Sequence, residues 1–185
     1  MPQIRNLLID GARVLAGANV APGTGVGVTR YGRLVDRIKI GFKDKALTVA
    51  DTGGANGGFV AFPFMTFPAT HLLLMGALLD FTSVLAAATI VATGTVKFAL
   101  GSVAEAANDT LDGTSGDYIA SADCVLVAGA GTVKAASPAT PVMINALAGT
   151  VTPFLNIGVA NADISASTIV TLTGAITLFY VEIRS

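Results

Sequence analysis

Apolar and polar residues alternate with a period of two through several stretches of this chain, and the last of these is the most regular. From Val170 the even positions Val170, Leu172, Ile176 and Leu178 are apolar, while Thr171, Thr173 and Thr177 face the other way. That is the pattern of a strand with one wet face. Beyond Leu178 the rule changes, because Phe179, Tyr180, Val181 and Ile183 put bulky apolar groups on both faces. One sheet layer covers only one side of such a strand, so something else must cover the other, and a partner chain is the simplest candidate. Together with the run that begins at Pro153, the segment reads as a hairpin. Gly174 reads as a bend in a strand that would otherwise run about 50 Å at ~3.3 Å per residue.

The same reading applies upstream. At residues 33–43 the odd positions Arg33, Val35, Arg37, Lys39 and Lys43 gather four cations on one strand face, opposite Leu34, Asp36, Ile38, Ile40 and Phe42. Short strands at Leu47-Thr48-Val49 and Phe59-Val60-Ala61-Phe62 flank residues 53–58, a turn made of residues that tolerate positive φ. The run from His71 to Phe81 is apolar at both parities, so it fits either a strand buried on both sides or a buried helix. Its neighbour favours strand, since Ile90, Ala92, Val96, Phe98 and Leu100 alternate with Val91, Thr93, Thr95 and Lys97. Residues 102–108 are the one stretch of helix-forming composition, and residues 109–117 read as a surface loop. Further short strands surround Tyr118, Cys124, Val133, Val142 and Phe154. Residues 1–24, with turn signals at Asp10-Gly11 and Pro22-Gly23, read as an extended N-terminal arm, and 25–185 as a single domain. The pattern therefore predicts an all-β fold: an antiparallel β-sandwich, jelly-roll-like, of about eight strands.

Composition sharpens the need for a partner. Hydrophobic residues make up 52% of the 185 and charged residues only 12%, against about 25% charged in ordinary soluble domains. A chain so poor in charge points to a homo-oligomer that hides surface. A membrane is the rival account of a mean hydropathy of +0.70, but Asp80 interrupts residues 72–92 and Pro138, Pro141 and Pro153 interrupt residues 135–162. No spanning helix or membrane partner is expected, and the first residues lack the pattern of a secretory signal. Cys124 is the single cysteine, which excludes an intrachain disulfide and suits assembly in a reducing cytoplasm. Charge is distributed unevenly. Residues 1–45 hold eight basic groups against Asp10, Asp36 and Asp44, whereas residues 101–185 hold Lys134 and Arg184 against seven acids. Such polarity suits head-to-tail pairing of subunits or a basic end turned toward an acidic partner.

Catalytic chemistry finds little to work with. His71 is the only histidine and neither it nor Cys124 is flanked by a nucleophile motif, so no acid–base pair, thiol site or zinc site is expected. Asp109, Asp112 and Asp117 offer hard oxygen ligands for calcium, yet their spacing departs from the EF-hand and equally suits a turn. The glycine-rich runs at 23–27 and 53–58 lack the Gly-Lys-Ser/Thr ending of a phosphate-binding loop. A pI near 5.7 argues against a nucleic-acid partner. The reading is non-enzymatic, with no cofactor.

Three stretches resemble small virion structural proteins of tailed bacteriophages: His71-Leu72-Leu73-Leu74, the loop at 108–118, and the closing segment. In that segment Phe154-Leu155-Asn156-Ile157-Gly158-Val159 and Ala162-Asp163-Ile164-Ser165-Ala166-Ser167 lead into a Thr-rich last strand. The resemblance spans roughly residues 70 to 183. It implies a β-sandwich head or capsid accessory protein, often a trimer, with no catalytic residues to carry over. The leading expectation is a cement or decoration subunit of a virion, assembled in the host cytoplasm, with the major capsid protein as partner. Phe179, Tyr180, Val181 and Ile183 are the candidate oligomer interface, and Arg33, Arg37, Lys39 and Lys43 the candidate capsid contact. The alternatives are a shell-forming capsid protein, or a receptor- or carbohydrate-binding sandwich of a tail or baseplate. The latter would have to stack sugars on Tyr31, Tyr118 or Tyr180.

Overall fold

Three strands of 16 residues each lie side by side: β3 (Asp36–Asp51), β6 (His71–Ala86) and β12 (Thr168–Ile183), with β12 between the other two. They belong to a computed structural model that describes residues 19–20, 26–32, 35–53, 56–67, 71–106, 109–137, 141–145 and 150–183, with side chains among 35–144 and 150–183. The shorter strands are β1 (Asn19–Val20), β2 (Val26–Gly32), β4 (Gly58–Pro63), β5 (Met65–Thr66), β7 (Thr95–Gly101), β8 (Ile119–Val125), β9 (Ala130–Ala136), β10 (Val142–Asn145) and β11 (Phe154–Val159). Every pairing among them is antiparallel.

Eight strands follow one hydrogen-bonded path, β10-β6-β12-β3-β4-β11-β7-β8, with β2 added on β3 and β9 on β6. The path turns where β3 outlasts β12 and pairs β4 through Ala50 and Asp51 only. The long-strand sheet (β10 and β9, β6, β12, β3, β2) thus continues into a short-strand sheet (β4, β11, β7, β8), and the whole curls into a half-barrel. At the far edge a bridge between Val127 and Ala130 joins β8 to β9. The arm expected at residues 1–24 lies outside the described residues, apart from β1, which pairs β5.

The hairpin expected at the end of the chain does not form. β11 pairs β4 and β7 in the short-strand sheet, whereas β12 pairs β3 and β6 in the other. A helical turn at Asn161–Asp163 and the buried Ile164, bridged to Ile90, carry the chain from one sheet to the other. The helix-like composition at 102–108 gives no helix among its described residues either.

The long strands bend along one line. Leu172 pairs Lys45 and Gly174 pairs Phe42, so Lys43 and Asp44 of β3 together face Thr173. On the other side Thr173 pairs Ser83 and Gly174 pairs Phe81, leaving Thr82 of β6 as an extra residue. Each insertion is a β-bulge, which bends its strand and increases the local twist. Thr173 ties the line together: its hydroxyl donates to Asp44 Oδ1 (3.0 Å) and accepts the Asp44 N–H (3.1 Å), and its carbonyl accepts the Thr82 hydroxyl (3.3 Å). Gly174 sits at the crease with φ +152°, where an added Cβ would run into the Asp80 carbonyl oxygen and the Phe81 backbone.

Each bulge also switches which parity faces inward. In β3 the inward residues are Ile38, Ile40 and Phe42 before Asp44, then Leu47 and Val49 after it. In β6 a bulge at Met75 and the one at Thr82 divide the inward set into Leu72 and Leu74, then Ala77, Leu79 and Phe81, then Val84. These switches explain why His71 to Phe81 is apolar at both parities although only one face is fully buried. The two inner faces meet over a ring cluster in which Phe81 touches Phe42 edge-on (centroids 5.3 Å apart) and tilts against Phe98 of β7 (5.6 Å). Such pairs add about 0.5–1.5 kcal/mol each beyond the area they bury. Gly174→Ala should lower stability by at least about 3 kcal/mol, since the clash is with backbone that cannot yield without unzipping β6. Urea denaturation measures it, and a loss under about 1 kcal/mol would show that the crease tolerates a side chain.

Candidate assembly interface

The two sheets differ in what lies on their outer faces. On the short-strand sheet the outward residues Ala99 and Gly101 of β7 and Asn156 and Gly158 of β11 are themselves buried, because the described residues 102–106 and 109–117 fold back across them. Asn156, fully buried in an otherwise apolar strand, is the anchor. Its Oδ1 accepts the Glu105 N–H (2.9 Å), and its Nδ2 donates to the carbonyls of Val103 (3.0 Å) and Ser115 (2.7 Å). A buried amide has to find such partners, and here the loop backbone supplies them. Lys97 Nζ meets Asp109 Oδ2 at 3.4 Å, and both oxygens of Asp117 accept from Ser102, one from its N–H and one from its hydroxyl. Two of the three aspartates considered for calcium thus face different partners. Among the described residues no group of three His, Cys, Asp or Glu is placed to hold a metal ion.

The outer face of the long-strand sheet carries half-buried and exposed side chains, and no second sheet packs on it among the described residues. Toward the C-terminal end of β12 one cross-strand row runs Met143, Leu73, Val181, with Val35 just before β3. In the next outward row Phe179 pairs Gly76 on one side and Arg37 on the other. A Cβ built on Gly76 would lie 4.0 Å from Phe179 Cδ2, so the ring extends over the glycine. The Met75 bulge pushes its side chain out beside these rows, and Ile183 closes the patch opposite His71. Met143 is 54% exposed and Val35 42%. Contiguous apolar side chains on the face of a sheet, rather than scattered singly, mark a surface made to be covered.

The candidate residues divide as follows. Phe179 and Val181, half-buried, and the exposed Ile183 lie on this outer face. Tyr180 points the other way and is fully buried, its ring 6.3 Å from Phe67, so it belongs to the core. Arg37, Lys39 and Lys43 share the outer face of β3 beside the apolar rows, and Arg33 lies outside the described residues. Lys45, past the Asp44 bulge, turns to the opposite face and sets its ammonium 4.9 Å from the Phe62 ring centroid. Tyr118, a candidate sugar-stacking ring, is buried, and burial aided by the Asp117 charge raises its phenol well above the usual range. His71 begins β6 while Cys124 pairs Val96 in the short-strand sheet, so the two share no row. Burial pushes the Cys124 thiol up to about 11. The residue missed in the sequence is Asn156, whose signal was a lone amide inside the apolar run of β11.

Among the described residues no helix is long and apolar enough to cross a membrane. No protein-family model and no curated protein matches the sequence. The chain is similar to a chain of the acidic stable capsid structure of Helicobacter pylori bacteriophage KHP30, with 14% identity and a TM-score of 0.30 over 80% of this chain and 99% of that one. A score of that size carries neither fold nor function from one chain to the other.

Two outcomes follow from the buried groups. Asn156→Ala should cost about 1–3 kcal/mol by stripping three backbone groups of their partner. It should speed hydrogen exchange selectively in residues 102–117, and uniform acceleration would instead place Asn156 in the global core. Cys124 should react with a thiol reagent at pH 8 only after denaturant is added. Its raised folded value keeps the neutral thiol as a source of stability below pH 9, a contribution lost as pH rises toward 11.

Proposed function

We propose that the chain is a non-enzymatic structural protein of a virion that binds and stabilises a phage capsid as a cement or decoration subunit. The observation that carries the reading is the apolar outer face of the long-strand sheet, around Phe179, Val181, Leu73 and Met143, which no strand or loop covers fully among the described residues. A sheet that buries one face in its own core and presents apolar rows on the other is half of an interface. Two of the motifs that resemble tailed-phage virion proteins lie in strands of this face, β6 and β12, while a third lies in β11 of the other sheet. The proposal takes residues 1–24 as an arm and 25–185 as one jelly-roll-like sandwich. Its mechanism is thermodynamic: a subunit that touches several capsid subunits at once stabilises the assembled state over the separated one by the free energy of those contacts.

Capsids assembled without this subunit should come apart at a lower temperature than capsids to which the purified chain has been added back, with the chain co-sedimenting. A chain that leaves both the sediment and the disassembly temperature unchanged would refute the cement role.

A further inference from the structure

The apolar rows and the cations of β3 form one surface. Phe179 lies in register with Arg37, and Thr177 with Lys39, so a partner that covers the apolar rows also meets the basic edge. Two acids of this face, Asp80 and Asp44, are engaged with Lys134 and Thr173 and lie outside the rows of Phe179 and Val181, so the border of the apolar rows along β3 is basic.

The same chain carries the complement elsewhere. On β8, the edge of the short-strand sheet, Asp123 and Val125 point outward, Val125 being 62% exposed, and Val127 just beyond is 75% exposed. Asp112 and Asp117 are exposed on the loop that covers that sheet. This second surface pairs apolar side chains with acids, where the first pairs them with bases. We propose that the two dock head to tail: the long-strand face of one copy receives the β8 edge and acidic loop of a second copy. Contacts between two different faces make a closed ring if the rotation closes and a filament if it does not. The inference rests on the structural reading above for the idea that the face is buried in a particle, and it assigns the occupant.

Blocking one face at a time tests it. Phe179→Asp spoils the receiving face and leaves the β8 edge intact; Val125→Asp does the reverse. Val125 is exposed and Phe179 half-buried on an outer face, and circular dichroism and thermal midpoints would verify that each variant folds. In light scattering the wild type should associate, and each variant alone should lose roughly 30-fold or more in association constant. An equimolar mixture should form a dimer of unlike copies, because one sound interface is then available. Lys39→Glu mixed with Asp123→Lys gives a second route to the same result, and raising salt should weaken the wild-type assembly. A mixture that stays monomeric while the wild type associates overturns the proposal, as does a wild type that is monomeric at its highest soluble concentration. Capsid binding by a strictly monomeric chain would sink this inference and keep the cement role. A head-to-tail oligomer indifferent to capsids would do the opposite.

Discussion

Everything in this fold depends on a crease that crosses three strands at one level. Strands of 16 residues extend roughly 50 Å, too long to stay flat and still close over a core of this size. The bulges at Asp44 and Thr82 bend the two outer strands, and Gly174 lets the central one follow. Thr173 locks the three together through its hydroxyl and carbonyl. At the crease Phe42 and Phe81, the two cross-strand partners of Gly174, meet edge-on, and Phe81 tilts against Phe98 of the second sheet. The half of the long-strand sheet beyond the crease, toward the C-terminal end of β12, buries Leu72, Leu74 and Tyr180 on its inner face and carries the apolar rows on its outer one.

The two sheets solve the problem of their outer faces differently. The short-strand sheet is covered from within, by a loop held on Asn156, and the cover is acidic and exposed. The long-strand sheet shows apolar and basic side chains instead. A chain with 12% charged residues has few charges with which to keep such a face soluble, and it places cations at the border of the patch rather than within it. This is the anatomy of an interface with an apolar centre and a charged rim.

Much of this was legible in the residues. The alternation of β12, the bend at Gly174, the cation-bearing face of β3 and the glycine turn before β4 all follow from local pattern, because local sterics and the period of two decide them. What was not legible depends on distant partners. A bulge is defined by the strand opposite it, so the parity switches at Asp44, Met75 and Thr82 made one strand look like two and a half-buried strand look doubly buried. The separation of β11 from β12 is likewise a matter of pairing with β4 and β7, which no local rule ranks against a hairpin. Tyr180 was grouped with Phe179 and Val181 by composition, and only its parity, opposite to theirs, assigns it to the core.

The central claim is that the apolar face of the long-strand sheet is what assembly covers, and the methionines report on it directly. Met75 and Met143 stand on that face, whereas Met65 is buried in the core. Brief oxidation followed by mass spectrometry, on the dilute monomer and on the assembled particle, gives each residue's accessibility in both states. The account predicts strong protection of Met75 and Met143 on assembly, with Met65 protected throughout. Equal oxidation of Met75 and Met143 in monomer and particle would contradict it.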